Sequence, residues 1–526
     1  MTIANPNKDS VQVAKNSANV NAKTIHSLII GDNATVNQQI IQQRRERGLF
    51  QLAEDSPDFT GRSQETEQIE KILNSDSPTA MISAVSGMGG VGKSVLARHV
   101  GNKLKARFPD GQLYVDLLGQ SGSPMLPDSV LRDFLVNGFG EDPQQLPLEL
   151  ESLRKLFHDR LSNHKILVVL DNAKDAAQVE PLLPRAVGCG AIVTSREKLA
   201  NLDGMTSRNF VPLGVMPEGE AIALIQTLCE SKTTDTPLVK QLVGLCGLLP
   251  LALTIVGKLL LQTDSLTLRE VIDELLKERS RPYYLKYKTG GTVDSRLDVE
   301  ASFNLSYVRL NEGQRELFEA VAVLRGRDFG EELAAKLVGQ TAVREELDQL
   351  VALQLVQWET GRYGLHDLVR EFGRGKLGDD RENGLTTVAL DWYVAMADQM
   401  DDFVRSNIRI ERARSIAVDS EQSVEEIDAT LLKMGLIWFE VEWLNILEGI
   451  KWAKLTGRSE AAVKLFADGQ SFSGLQGKRT KRFLTSGKEA LVAAQKAGDR
   501  LGEANTLQAI GDVLQFLDQR QDALNR

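Results

Sequence analysis

The chain of 526 residues has only three cysteines, Cys189, Cys229 and Cys246, too widely spaced for a disulfide framework or a CxxC metal site. That usage fits a reducing compartment, and the cytoplasm is the expected location. A positive excess is also lacking: 62 Lys and Arg stand against 72 Asp and Glu, a net charge of −10, so the bulk composition attracts neither nucleic acid nor an anionic membrane. Binding to nucleic acid would need a local basic patch. Long apolar runs are missing too. The most apolar stretch, Leu248 to Leu261, is interrupted by Pro250 and Lys258, and the polar start MTIANPNKDS leads into no signal-type core. What is present is ordinary for folded protein: 42% hydrophobic and 25% charged residues. The length calls for several cores, at roughly 150 residues per domain.

Residues 1–47 form an Asn/Gln-rich arm, with Asn5, Asn7, Gln12, Asn16, Asn19, Asn21, Asn33, Asn37, Gln38, Gln39, Gln42 and Gln43 set among scattered Val and Ile. It is locally basic, since Lys8, Lys15, Lys23, Arg44, Arg45 and Arg47 outnumber Asp9, Asp32 and Glu46. From Thr79 the pattern becomes short apolar strands, MISAVSG, QLYVDLLG, KILVVLDN and GAIVTSR, separated by amphipathic stretches. That alternation predicts a parallel α/β sheet with right-handed crossovers. After about Asn201 strand signals fade and helical spacing takes over, as in EAIALIQTLCE. The polar stretch 281–295 reads as a linker. Beyond it, helices followed by the strand pair LVQWETGRYGLHD, bent at Thr360-Gly361, form a winged-helix pattern. The last third is almost all helix. Trp438, Trp443 and Trp452 read as packing between helices.

The strongest chemical signal is GMGGVGKS, residues 87–94, between an apolar strand and the helix VLARHV. Gly87, Met88, Gly89, Gly90, Val91, Gly92, Lys93, Ser94 and Val95 are therefore the candidate phosphate-binding loop. Glycines let successive N–H groups point at phosphate oxygens, the helix N-terminus adds partial positive charge, Lys93 reaches the β- and γ-phosphates, and the Ser94 hydroxyl faces Mg²⁺. Asp171, closing the run ILVVL, is the expected carboxylate on the metal's water shell. The next residue is Asn172, and an amide cannot act as a general base, so hydrolysis should be slow. Arg196, at the end of IVTSR, stands where a guanidinium could sense a γ-phosphate.

Taken in order, FTGR (59–62), GMGGVGKS, ILVVLDN, IVTSR, CGLLPLAL (246–253) and LHD (365–367) resemble the successive motifs of the NB-ARC group of STAND-class signalling ATPases. The bacterial members followed by tetratricopeptide repeats are the most similar in kind. The resemblance implies a multidomain α/β plus α fold: a P-loop nucleotide-binding domain over 48–204, a helical domain over 205–285 and a winged helix over 290–380. A helical linker domain over 381–480 and a tetratricopeptide-like solenoid start over 481–526 would follow. Ala490, Ala494, Ala504, Gly511 and Ala523 would allow close helix approach there, and the chain reads as a piece of a longer protein. The resemblance further implies that Phe59, Thr60, Gly61 and Arg62 line the adenine, that Pro250 packs on adenine or ribose, and that His366 meets the β-phosphate of ADP. Catalytic roles would fall to Lys93, Asp171 and Arg196, with Ser94 and Asp171 holding Mg²⁺. LHD replaces the usual MHD and keeps the His-Asp pair.

The function implied is a nucleotide-dependent signalling switch, at most a slow ATPase. It would be closed with ADP and would self-associate with ATP once the C-terminal repeats meet an unknown ligand, in bacterial immunity (antiviral defence) or stress signalling. An effector protein would be reached through the arm, which is loosely similar to short amyloid-type signalling motifs; a disordered tether and a β-arm on the NTPase core remain open alternatives. No membrane partner is expected. The alternative is a winged-helix transcription regulator controlled by ATP and ADP, against which the acidic chain and the acidic segment VREELDQL both argue.

Overall fold

The computed structural model describes residues 48–75, 79–84, 89–119, 124–197, 199, 202, 206–279, 295–359, 361–417, 422–475 and 481–525. The arm, Gly87 and Met88 of the phosphate loop, the expected linker through Asp294, and Thr360 lie outside the described residues.

Strands β1 (Thr79–Ala84), β2 (Gly111–Asp116), β3 (Ile166–Ala173), β4 (Gly190–Ser195) and β5 (Phe210–Leu213) form one parallel sheet in the order β2-β3-β4-β1-β5. The two-residue period sorts each strand between two cores. Ile82, Val169 and Ile192 join one hydrophobic cluster with Leu96 and Val100, while Met81, Val168 and Val193 join the other with Phe134 and Phe157. Because helices cover both faces, β3 and β4 are buried almost throughout and read as continuous apolar runs rather than alternating ones. The fifth strand comes from the stretch where strand signals fade in the sequence. FVPL is four residues long and contains Pro212, so its own pattern is too short to register; it exists because β1 offers it an edge.

Helices α1 (Ser63–Leu73) and α2 (Lys93–Lys103) belong to the first cluster, and α3 (Pro127–Asp133) and α4 (Leu150–Leu161) to the second. Helices α5 (Glu218–Leu228), α6 (Thr236–Leu245), α7 (Pro250–Gln262) and α8 (Leu268–Arg279) follow, with Pro250 at the first position of α7, where its missing N–H costs nothing. Next come α9 (Ser295–Tyr307), α10 (Glu312–Ala322), α11 (Glu331–Leu337), α12 (Arg344–Ala352) and the hairpin β6 (Gln357–Glu359) and β7 (Arg362–Gly364), the expected winged helix. An antiparallel Phe329–Tyr363 bridge sets a third segment against the wing. Helix α13 (Asp367–Arg374) starts immediately after it.

The remainder is helical: α14 (Asp379–Val404), α15 (Ser406–Ala417), α16 (Val424–Leu455), α17 (Ser459–Leu475), α18 (Lys481–Ala497) and α19 (Arg500–Asn525), each packed on its neighbours. Trp438, Trp443 and Trp452 are buried between these helices as expected, and the Trp443 ring lies 5.2 Å from those of Phe472 and Phe483. Of the small residues expected to admit close helix approach, Ala490 and Ala494 are buried, but Ala504 and Gly511 face outward. Thr506, Ile510 and Val513 form the buried face of α19 instead. Approach is closest at Gly487, where a Cβ would come within 2.4 Å of Phe466 Cζ. Among the described residues no helix is long and apolar enough to cross a membrane.

Candidate nucleotide-binding site

The phosphate loop turns into α2 through Gly90 and Gly92, whose φ values of +75° and +90° lie in the left-handed region that glycine tolerates without steric cost. Ser94 Oγ donates to Asp171 Oδ1 at 2.8 Å, joining the two halves of the expected metal site across β4. Thr194 donates to the same oxygen, and Tyr114 OH donates to Asp171 Oδ2 at 3.3 Å. Three hydroxyls thus hold one carboxylate at the C-terminal edge of a parallel sheet, where phosphate ligands bind in such folds. Burial, followed by the Arg196 charge, lowers the Lys93 ammonium to about 8, against a smaller opposing pull from Asp171. A desolvated cation of this kind gains most from an anionic ligand. The loop, Lys93 and the Ser94–Asp171 pair therefore fit a Mg²⁺-nucleotide. Val95 is 45% exposed beside them.

The FTGR segment meets the loop through Arg62 rather than through a free guanidinium. Arg62 is 4% exposed, and its Nη2 donates to Val91 O at 3.2 Å and Gly214 O at 2.7 Å. Its backbone N–H reaches Glu220 Oε2 at 2.8 Å; at Gly61, with φ +79°, a Cβ would strike that carboxylate. Arg62 is thereby a clamp on the loop's own carbonyls. Phe59 stacks on His99 at 3.8 Å, and Thr60 donates to Asp58 O, while Asp58 pairs with Lys258 of α7 at 2.6 Å. The segment is thus tied to the helix that begins at Pro250. Pro250 Cγ lies 3.8 Å from where a Gly92 Cβ would stand, and Leu251 N–H donates to Gly90 O.

The winged helix closes the phosphate end. Leu368 lies 3.1 Å from where a Cβ of Gly89 would be, and Arg196 Nη2 donates to Asp367 Oδ2 at 2.7 Å. His366 caps α13 by accepting the Leu368 N–H on Nδ1 at 3.2 Å. Burial lowers its pKa; Asp367 acts the other way, and Arg196 and Lys93 add to the lowering. A neutral ring that accepts on Nδ1 carries its proton on Nε2, so that nitrogen is a donor. His366, Arg196 and Lys93 thus converge where phosphates would lie.

Three residues that act on this site carry no motif of their own, Tyr114, Asp116 and Arg327, and Thr194 lies unmarked within IVTSR. Asp116 is register partner to Asp171 on the adjacent strand. Burial and the Asp171 charge raise its carboxyl to about 6, against the Arg327 guanidinium, the Leu118 N–H and the Asn172 amide. Its place at the end of QLYVD, matching Asp171 at the end of ILVVLD, was the available signal.

Residues 62–235 match the model of the NB-ARC domain. Regulatory protein AfsR of Streptomyces coelicolor is 32% identical over 486 residues, covering 88% of this chain and 47% of that protein. The chain carries an NB-ARC domain over residues 62–235. That domain has the five-stranded parallel sheet and phosphate loop of a P-loop fold. This NB-ARC chain spans about half the length of the curated relatives it matches. Disease resistance protein RML1A of Arabidopsis thaliana is 24% identical over 373 residues, 66% of this chain and 34% of its own. Among solved structures, a STAND protein with a tetratricopeptide repeat sensor from Pyrococcus horikoshii is 15% identical with a TM-score of 0.45, over 90% of this chain and 77% of that one.

Proposed function

We propose that the chain is a nucleotide-controlled signalling switch whose closed form holds ADP with Mg²⁺. The observation that carries this is the contact of the winged helix with the phosphate end of the P-loop site: Asp367 occupies Arg196, the guanidinium placed to meet a γ-phosphate, at 2.7 Å. A third phosphate and Asp367 would compete for the same donors, so ATP would favour a form in which the winged helix has moved away. Differential affinity of this kind is what a nucleotide needs to shift a conformational equilibrium. In the closed form Lys93 and the loop N–H groups bind the phosphates, Ser94 and Asp171 hold the metal, His366 Nε2 donates to a phosphate oxygen, and Phe59, Thr60 and Pro250 border the base. The magnesium ion supplies charge neutralisation of the phosphates.

The C-terminal helices would receive an unidentified ligand in the manner of tetratricopeptide repeats, release would permit self-association, and the arm would engage an effector, in immunity or stress signalling. The alternative of a transcription regulator draws on relatives named HTH-type transcriptional regulators in Mycobacterium tuberculosis, 24% identical over 465 residues. Against it, α12 carries Glu345 and Glu346 behind Arg344 in its first turn, and the wing residue Glu359 faces Arg98 of the nucleotide-binding domain. Chromatography of the nucleotide released on denaturing purified protein tests the proposal. ADP is expected, and its loss in Lys93→Ala; nucleotide-free protein whose melting is unmoved by ADP would overturn it.

A further inference from the structure

Asn172 stands directly after Asp171, where an acid would orient the attacking water, and the structure shows what the amide does instead. The tip of β2 grips it. Leu117 N–H donates to Asp171 O at 2.8 Å, Gly119 N–H donates to Asn172 O at 2.7 Å, and Asn172 Nδ2 donates to Asp116 Oδ1 at 3.3 Å. The approach is so close that a Cβ on Gly119 would lie 2.4 Å from Asn172 O. Both tips are held in left-handed backbone, with φ +54° at Asn172 and +52° at Leu118, whose N–H donates to Asp116 Oδ1 at 2.8 Å. Non-glycine residues in that region persist where surrounding bonds hold them. The arrangement spends two donors on aiming one carboxylate.

We infer that acid and amide have exchanged strands, so that Asp116 from β2 supplies the carboxylate that orients the attacking water, with Asn172 as its positioning residue. This rests on the nucleotide reading above. The step is hydrolysis: the water oxygen, its O–H held by Asp116, forms a bond to the γ-phosphorus while the bond to the β–γ bridging oxygen breaks. The electron pair leaves with ADP, and the water's proton passes to the released phosphate. No further reactant is needed. Arg327 lies in the field of Asp116 and Tyr114 from the winged-helix side. Its backbone N–H is anchored on Asn445 Oδ1 of α16 at 3.1 Å, and Arg370 of α13 holds the preceding carbonyl, Gly326 O, at 3.1 Å. The closed winged helix therefore brings a cation into the field of Asp116, an attraction that opening would remove.

The test compares the full chain carrying Asp116→Asn, Asn172→Asp, the exchange of both, and Arg327→Met. Single-turnover hydrolysis is followed alongside affinity for a non-hydrolysable ATP analogue and the identity of co-purifying nucleotide. Asp116→Asn is expected to slow hydrolysis on the order of 10²-fold, to retain analogue affinity, and to raise the share of ATP that co-purifies. The exchanged pair should recover most of the rate, whereas Asn172→Asp alone, setting two carboxylates against each other, should not. Arg327→Met should speed hydrolysis severalfold only where Asp116 is present. Unchanged turnover in Asp116→Asn, or no single turnover in the parent chain, overturns the inference. Loss of analogue binding in Asp116→Asn also overturns it, making Asp116 part of the site's structure. Persistent nucleotide binding in Lys93→Ala would instead sink the nucleotide reading.

Discussion

Arg196 and Asp367 are 171 residues apart in sequence and 2.7 Å apart in space. One is the last residue of the IVTSR motif on the sheet, the other opens the first helix after the wing, and their ion pair joins the two modules at the phosphate end of the site. Their side chains are 28% and 53% exposed, so the pair is weak in itself, about 1 kcal/mol or less. A switch needs that: a latch that a phosphate can displace.

Asp367→Asn should therefore leave the protein folded and shift the closed-to-open ratio by up to about fivefold. Mass photometry at a fixed ATP concentration should show more oligomer than in the parent chain. An unchanged distribution would mean that the pair does not restrain the winged helix.

His366→Ala removes the Nε2 donor. A hydrogen bond to a charged group contributes about 1.5–3 kcal/mol, so ADP should bind on the order of ten- to a hundredfold more weakly by calorimetry. His366→Gln keeps a donor and should recover part of the loss. Equal affinity in all three proteins would leave the histidine as a helix cap and nothing more.

Two buried acids of the helical region give a pH prediction. Burial, with Asp398 and Asp401 adding to it, raises Asp468 to about 7 against Lys464 and Arg405. Burial, with Asp402 and Asp398 adding, raises Asp401 to about 6 against Ser471 and Arg405. Both values lie above the unfolded one near 4, so between about pH 4 and pH 7 the folded state holds more protons than the unfolded. Stability conferred by the protonated forms is thus present at low pH and lost as pH rises through this window. Asp468→Asn should stabilise the protein at pH 8 by on the order of 1–2 kcal/mol, read as a higher melting temperature, and by clearly less at pH 5. A gain equal at both pH values would contradict the assignment.

Gly487→Ala should destabilise the helical region by about 1–3 kcal/mol, since the added methyl would overlap the buried Phe466 ring. Gly511→Ala on outward-facing α19 meets nothing within 4 Å and should stabilise by up to about 1 kcal/mol. Denaturant midpoints of the two variants check both signs.

Short-range patterns made much of this protein readable in one dimension. GMGGVGKS, ILVVLD and IVTSR each put chemistry at the end of an apolar run, and a strand followed by a glycine turn and a helix leaves few choices of local structure. Pro250 at a helix start and the β6–β7 hairpin were legible for the same reason: they depend on neighbours within a few residues. Other features depend on what a residue meets across the fold, which no local pattern records. FVPL is a strand only because β1 has a free edge. Arg62 looks like a ligand residue in a motif, but the carbonyls of Val91 and Gly214 occupy it. Asp116 looks like a strand-end turn residue, yet register sets it beside Asp171 and the β2 tip folds it onto Asn172. The sequence by itself determined the phosphate loop, the order of modules and the helical periodicity, because these follow from backbone propensity and the burial of apolar faces. Only the tertiary structure decided that Asp367 would occupy Arg196, that His366 would carry its proton on Nε2, and that Arg327 would come within the field of Asp116, because desolvation and charge pairing act through space among groups that the chain brings together last.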